Sequence, residues 1–136
     1  MKNLLLLLLA SIVLLLSSCT KEDHIDKELK EAAVTMNKMT PQILGEGVRL
    51  DSVSARENKT LQYNYTLTDD VKEELKPEEI NGYKTAAKEE ALKSIKNSPD
   101  MKNFRENHIT LKYMYYDKNG KPTTNFSVSP SDYKVK

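Results

Sequence analysis

An α+β fold is predicted for this chain by three patterns that follow one another along it. Ile25, Leu29, Ala32, Ala33, Met36 and Met39 recur at helical spacing, and Leu61, Tyr63, Tyr65 and Leu67 alternate with polar residues. Further on, Asn119-Gly120 separates two more alternating runs, the signature of a tight hairpin. The order helix, hairpin, helix, hairpin predicts a mainly antiparallel four-stranded sheet with its helices on one face.

The chain opens on Lys2 and a mostly apolar run of 13 residues from Leu4 to Leu16, followed by Ser17-Ser18-Cys19. A membrane-spanning helix wants roughly 20 apolar residues, so this run reads as a secretory signal. Cleavage before Cys19 leaves 118 residues of the 136, the size of one domain. We place the signal at 1–18, an anchor and short tether at 19–24, and the domain at 25–136.

The first helix starts near Ile25, and Thr40 before Pro41 either ends it or caps a short successor, because the residue before proline is pushed out of helical geometry. Gly45 and Gly47 mark a turn. In the strand that follows, Val48 and Leu50 are out of phase with Val53 and Ala55, which requires a bulge near Asp51 or Ser52. A turn at Glu57 to Lys59 leads into the second strand. Thr68, Asp69 and Asp70 open a helix that Lys76-Pro77 interrupts, and the main second helix carries Ile80, Tyr83, Ala87, Ala91, Leu92 and Ile95 on one stripe. Ser98-Pro99 starts a short turn that buries Met101 and Phe104. In the last hairpin, a two-residue type I′ turn with positive φ at both Asn119 and Gly120 sets Tyr113 opposite Phe126 and Leu111 opposite Val128. Tyr63, Tyr65, Tyr113 and Tyr115 then share the covered face, and Met114 and Tyr116 project from the other beside Lys112.

Composition narrows the function. After the signal, 20 acidic and 20 basic residues balance, which speaks against strong nucleic-acid binding. Cys19 is the only cysteine, so the domain has no disulfide, thiol nucleophile or thiolate metal site. His24 and His108 are not at metal-ligand spacing, and neither a nucleophile with an evident base nor a phosphate-binding loop is present. No metal, no cofactor and no catalysis are expected. The doublets Asp69-Asp70, Glu73-Glu74, Glu78-Glu79 and Glu89-Glu90 are adjacent residues that point apart on a helix, and lysines interleave them as on a solvated face. Asp117-Lys118-Asn119-Gly120 begins like a calcium loop, but Lys121 takes the next ligand position and the closing glutamate is missing. Lys112, Met114 and Tyr116 form the candidate binding patch, since aromatic side chains anchor interfaces.

Leu16-Ser17-Ser18-Cys19 resembles the lipobox of bacterial lipoproteins, in which the cysteine receives a diacylglycerol thioether and becomes the mature N-terminus. The resemblance implies lipidation at Cys19 and a membrane held through that lipid. Thr20 to Asp23 is similar to the lysine-and-acid signal that sends Bacteroidota lipoproteins to the cell surface, carried here by Lys21, Glu22 and Asp23. Asp51-Ser52-Val53 resembles an O-glycosylation site of envelope proteins from the same group, with Ser52 as acceptor. From about Met36 to Tyr133 the body resembles small secreted or lipid-anchored bacterial domains of unassigned function, through Arg49 to Ser52 and the tyrosine-rich Lys112 to Asp117. Many of those domains carry a cysteine pair that this chain lacks.

Together these readings predict an outer-membrane lipoprotein, at the cell surface or on the periplasmic face, whose domain binds a protein partner without catalysis. The alternatives are an inhibitor or immunity-type protein against a toxin or hydrolase, and an envelope hydrolase using a carboxylate pair.

Overall fold

The computed structural model describes residues 21–134. Cys19 lies outside the described residues, and Lys21, Glu22 and Asp23 are described only as backbone in the first helical turn. Helix α1 (Lys21–Asn37) leads to β1 (Gln42–Gly45), β2 (Val48–Arg56) and β3 (Thr60–Leu67). A 3-10 turn at Lys72–Glu74 precedes α2 (Pro77–Asn97), a second 3-10 turn at Pro99–Met101 runs into α3 (Lys102–Glu106), and β4 (Thr110–Tyr116), β5 (Pro122–Val128) and α4 (Pro130–Tyr133) complete the chain.

The sheet has five strands in the order β1-β2-β3-β4-β5, not four. The additional strand β1 is only four residues long and exposed throughout, so it shows no alternation to read. Its partner β2 carries the expected bulge: Leu50 pairs with Tyr65 and Ser52 with Asn64, leaving Asp51 as the extra residue. The sheet is mainly antiparallel, as expected; its parallel pair lies at the centre, where β3 and β4 run side by side with Tyr63 beside Tyr113. Parallel neighbours need a crossover, and the segment containing α2 and α3 supplies it.

Both long helices cover one face, α1 over β2 and β3 and α2 over β5. Ile25, Leu29 and Ala33 of α1 meet Val53, Leu61 and Leu111 there, together with Ile95 of α2 and Tyr133 of α4. Met39, expected on the helical stripe, lies beyond the helix end and is exposed. The short α4 was not foreseen. Ser129 and Asp132 cap it reciprocally, and the Tyr133 hydroxyl donates to the Ile109 carbonyl at 2.8 Å, which locks it over the core.

The final hairpin keeps the predicted register, Tyr113 with Phe126 and Leu111 with Val128, through a different turn. Gly120 has φ +81°, but Asn119 is not among the residues with positive φ, which rules out type I′. The loop is one residue longer, with Asp117 N–H donating to the Lys121 carbonyl and Gly120 N–H to the Asp117 carbonyl. A bulge between Tyr115 and Tyr116 absorbs the extra residue and restores the pairing. The helix expected from Thr68 is reduced to the Lys72–Glu74 turn.

Candidate functional site

The face of the sheet opposite the helices is built by alternation. On β3 it receives Gln62, Asn64 and Thr66, and on β4 Lys112, Met114 and Tyr116, paired in that order. Asn125 and Ser127 of β5 continue two of these rows. The three residues of the predicted patch are therefore aligned on one strand, all half-buried, with a ladder of amides and hydroxyls beside them. Gln62 donates to the Asn64 side-chain carbonyl at 2.8 Å, and Asn64 donates to the Ser52 hydroxyl at 3.0 Å. The bulge residue Asp51 accepts from Arg49 Nε and from the Thr66 hydroxyl, each at 2.5 Å. Ser52 lies half-buried within β2, and its hydroxyl accepts from Asn64.

An open depression of about 800 Å³ lies at one end of this face, with Asp26, Glu57, Thr60, Gln62, Lys112 and Ser127 among its lining residues. Asp26 already accepts the Lys59 backbone N–H at 2.8 Å, fixing the β2–β3 turn, where Asn58 and Lys59 both have positive φ. Among the described residues no group of three or more histidines, cysteines, aspartates or glutamates could hold a metal. The calcium-like loop is filled from within: the Asp117 carboxylate accepts backbone N–H groups from Lys72, Asn119 and Lys121, each at 2.9 Å. These amides hold its carboxyl below the usual carboxylate range. The face thus presents amides, hydroxyls, one lysine and two large side chains.

The remaining tyrosines belong to the other face. Tyr113 stacks on Phe126 at 4.7 Å between ring centroids and on Tyr63 at 5.5 Å, Tyr65 stacks on Tyr115 at 5.0 Å, and Tyr83 meets Tyr115 edge-on. Burial pushes the Tyr63 hydroxyl up to about 12 and raises those of Tyr65, Tyr113 and Tyr115 further. Their enrichment in the sequence reflects packing.

Among the described residues the exposed large hydrophobics are Val34 on α1, Met39 after it, and Ile43 and Leu44 on edge strand β1; Met39 was expected on the helical stripe, and sequence did not single out the other three. The run Gln42-Ile43-Leu44 between Pro41 and Gly45 is the signal that could have found them.

Residues 23–124 match the model of a family described as Domain of unknown function (DUF8479). The chain belongs to this family. No curated protein matches it. Among solved structures, a candidate secreted protein of Pseudomonas aeruginosa is similar with a TM-score of 0.70 at 12% identity, covering 87% of this chain and 100% of its own. The type 2 secretion system pilotin of Vibrio vulnificus is similar with a TM-score of 0.66 at 12% identity, over 85% of this chain and 97% of its own. The Type II secretion system pilotin of Vibrio cholerae reaches 0.61 at 13% identity, over 82% and 94%. At these identities the likeness establishes a shared fold.

Proposed function

We propose that this family member is a lipoprotein of the outer membrane, anchored through Cys19, whose domain holds a protein partner close to the bilayer without catalysing a reaction. The lipobox supports the anchor. Because α1 begins at Lys21, Thr20 alone separates the lipid-bearing residue from a helix of the domain, so the body cannot reach far from the membrane. The similar fold of two secretion pilotins supports a role in serving another envelope component. Lys21, Glu22 and Asp23 direct the protein to the cell surface in this reading, and without such export it stays on the periplasmic face.

The observation that carries the binding role is the row Lys112, Met114 and Tyr116 in register with Gln62, Asn64 and Thr66, on a face that no described helix covers. Unlike the tyrosine cluster, these side chains are not part of the hydrophobic core. Affinity capture from native membranes tests it, comparing the wild-type chain with Met114→Ala/Tyr116→Ala. The reading expects one envelope protein to be retained by the wild type and lost, by tenfold or more, from the variant. Equal capture by both overturns the assignment of this face. Capture of a soluble hydrolase or toxin whose activity falls on binding would favour the inhibitor reading instead.

A further inference from the structure

The strand register builds a floor of two rows at one end of the uncovered face. Ser54, Gln62, Lys112 and Ser127 form one row across β2, β3, β4 and β5, and Arg56, Thr60 and Thr110 form the next. Apart from Ser54 all of these line the depression of about 800 Å³, together with Asp26 and Lys30 of α1 and Glu57 of the β2–β3 turn. Two groups in the first row have unmet hydrogen-bonding capacity. Gln62 is only 7% exposed and its amide donates to Asn64, but its side-chain carbonyl accepts no hydrogen bond among the described residues. Ser54, its neighbour in register, has its hydroxyl oxygen buried without a hydrogen-bond partner. Unpaired polar groups beside open space are groups that a bound molecule satisfies at little cost in desolvation.

The lining carries both signs of charge. Lys30, Arg56 and Lys112 form no ion pair among the described residues, nor does Glu57, and Asp26 spends one carboxylate oxygen on the Lys59 N–H. Three cations against two carboxylates nearly cancel, so the depression suits neither a bare anion nor a cation. Its donors and acceptors are mixed with the hydroxyls of Thr60, Thr110 and Ser127, each of which does both. The matching molecule is one whose own polar groups both donate and accept, a polyol. We propose that the depression is a saccharide-binding site, with a sugar ring over the two rows, the Gln62 carbonyl accepting from a sugar hydroxyl and Lys30, Arg56 and Lys112 donating to sugar oxygens. Its volume falls within the roughly 300–1,000 Å³ of small-molecule sites. It lies at the end of the sheet where α1 begins, since Asp26 follows Lys21 by about 8 Å along the helix. Under the Cys19 reading this end is held near the membrane, where the sugar source is a glycolipid headgroup or the peptidoglycan strand. The sugar chemistry itself does not rest on that reading.

The test titrates the full chain, extracted from membranes in a sugar-free detergent, with two probes: the oligosaccharide released from membrane glycolipid by mild acid, and the disaccharide fragments of a peptidoglycan digest. Calorimetry should show saturable binding of one of them, and which one identifies the source. Affinity for that probe should fall about tenfold or more in Gln62→Leu and in Arg56→Ala. Arg56 is exposed, so its variant keeps the test decisive if Gln62→Leu fails to fold. Met114→Ala/Tyr116→Ala should bind the sugar as the wild type does. Loss of the protein partner with sugar binding intact would therefore leave this site standing, and a retained partner without sugar binding would refute the saccharide alone. Binding of neither probe overturns the proposal, as does affinity that either folded variant retains in full. So does displacement of the sugar by inorganic phosphate at equal concentration, because the depression is then an anion site.

Discussion

The carboxylate of Asp117 accepts the backbone N–H of Lys72 at 2.9 Å and so ties the β4–β5 hairpin to a turn 45 residues earlier in the chain. Around this bond the Lys118 N–H donates to the Asp70 carbonyl at 3.0 Å, and Lys121 forms an ion pair with Glu73. The side chain of Asp117 is fully buried, so its hydrogen bonds are exchanged for nothing if the carboxylate is lost. The connection from β3 into the crossover thereby depends on one residue of the final hairpin.

Asp117→Asn should therefore lower the melting temperature by several degrees, because an amide group must then face backbone donors. The acid limb of stability should change as well. The folded state holds this carboxyl below its unfolded value near 3.9. Its contribution is present above that pH and is lost as pH falls through the depressed folded value. Denaturation curves from pH 6 down to 2 should show a shallower acid loss in Asp117→Asn than in the wild type.

The tyrosine cluster gives the opposite limb. Unfolded tyrosines ionise near 10, whereas Tyr63 in the fold is pushed up to about 12 by burial. Above pH 10 the unfolded chain releases these protons and the folded chain does not, so stability should fall steadily between about 10 and 12. Tyrosinate absorbance and far-UV circular dichroism, followed together, should show a late, cooperative fraction that ionises only as the domain unfolds.

Two glycines should respond in opposite directions. Gly120 has φ +81° with open space around it, so Gly120→Ala should cost about 1–2 kcal/mol for conformation alone. Gly82 lies inside α2, exposed, with nothing near an added Cβ, and Gly82→Ala should stabilise the domain by roughly 0.5–1 kcal/mol. Chemical denaturation of the two variants checks both signs.

Changing Lys21, Glu22 and Asp23 together to alanine separates an export signal from a helix start. Acids in a first turn favour the helix dipole by roughly 0.3–1 kcal/mol, and loss of that contribution alone would lower stability slightly without relocation. The export reading expects a folded, lipidated protein that changes from protease-accessible to protease-protected on intact cells.

Local pattern carried much of the architecture into view. The phase slip between Leu50 and Val53 announced the bulge, and the alternation around Tyr113 and Phe126 fixed the register of the last hairpin. The type of its turn was not legible, because a side chain, Asp117, selects it by capturing the amides of Asn119 and Lys121. Nor was the parallel pairing of β3 with β4, which depends on the long crossover and not on either strand's own pattern. The row Lys112, Met114 and Tyr116 could be placed on the uncovered face from alternation alone. Its neighbours Gln62, Asn64 and Thr66 could not, since they come from a strand 50 residues earlier whose position beside β4 no local signal states. Strand β1 escaped notice because four exposed residues have no buried face to impose a period.

The account as a whole depends on what is attached to Cys19, and intact mass analysis of the mature protein extracted from membranes measures it. The expected N-terminal peptide begins at Cys19 and carries a thioether-linked diacylglycerol, and Cys19→Ala should abolish it and either release the domain or leave uncleaved precursor. A free Cys19 thiol, or a mature N-terminus at another residue, would contradict the envelope lipoprotein proposed here.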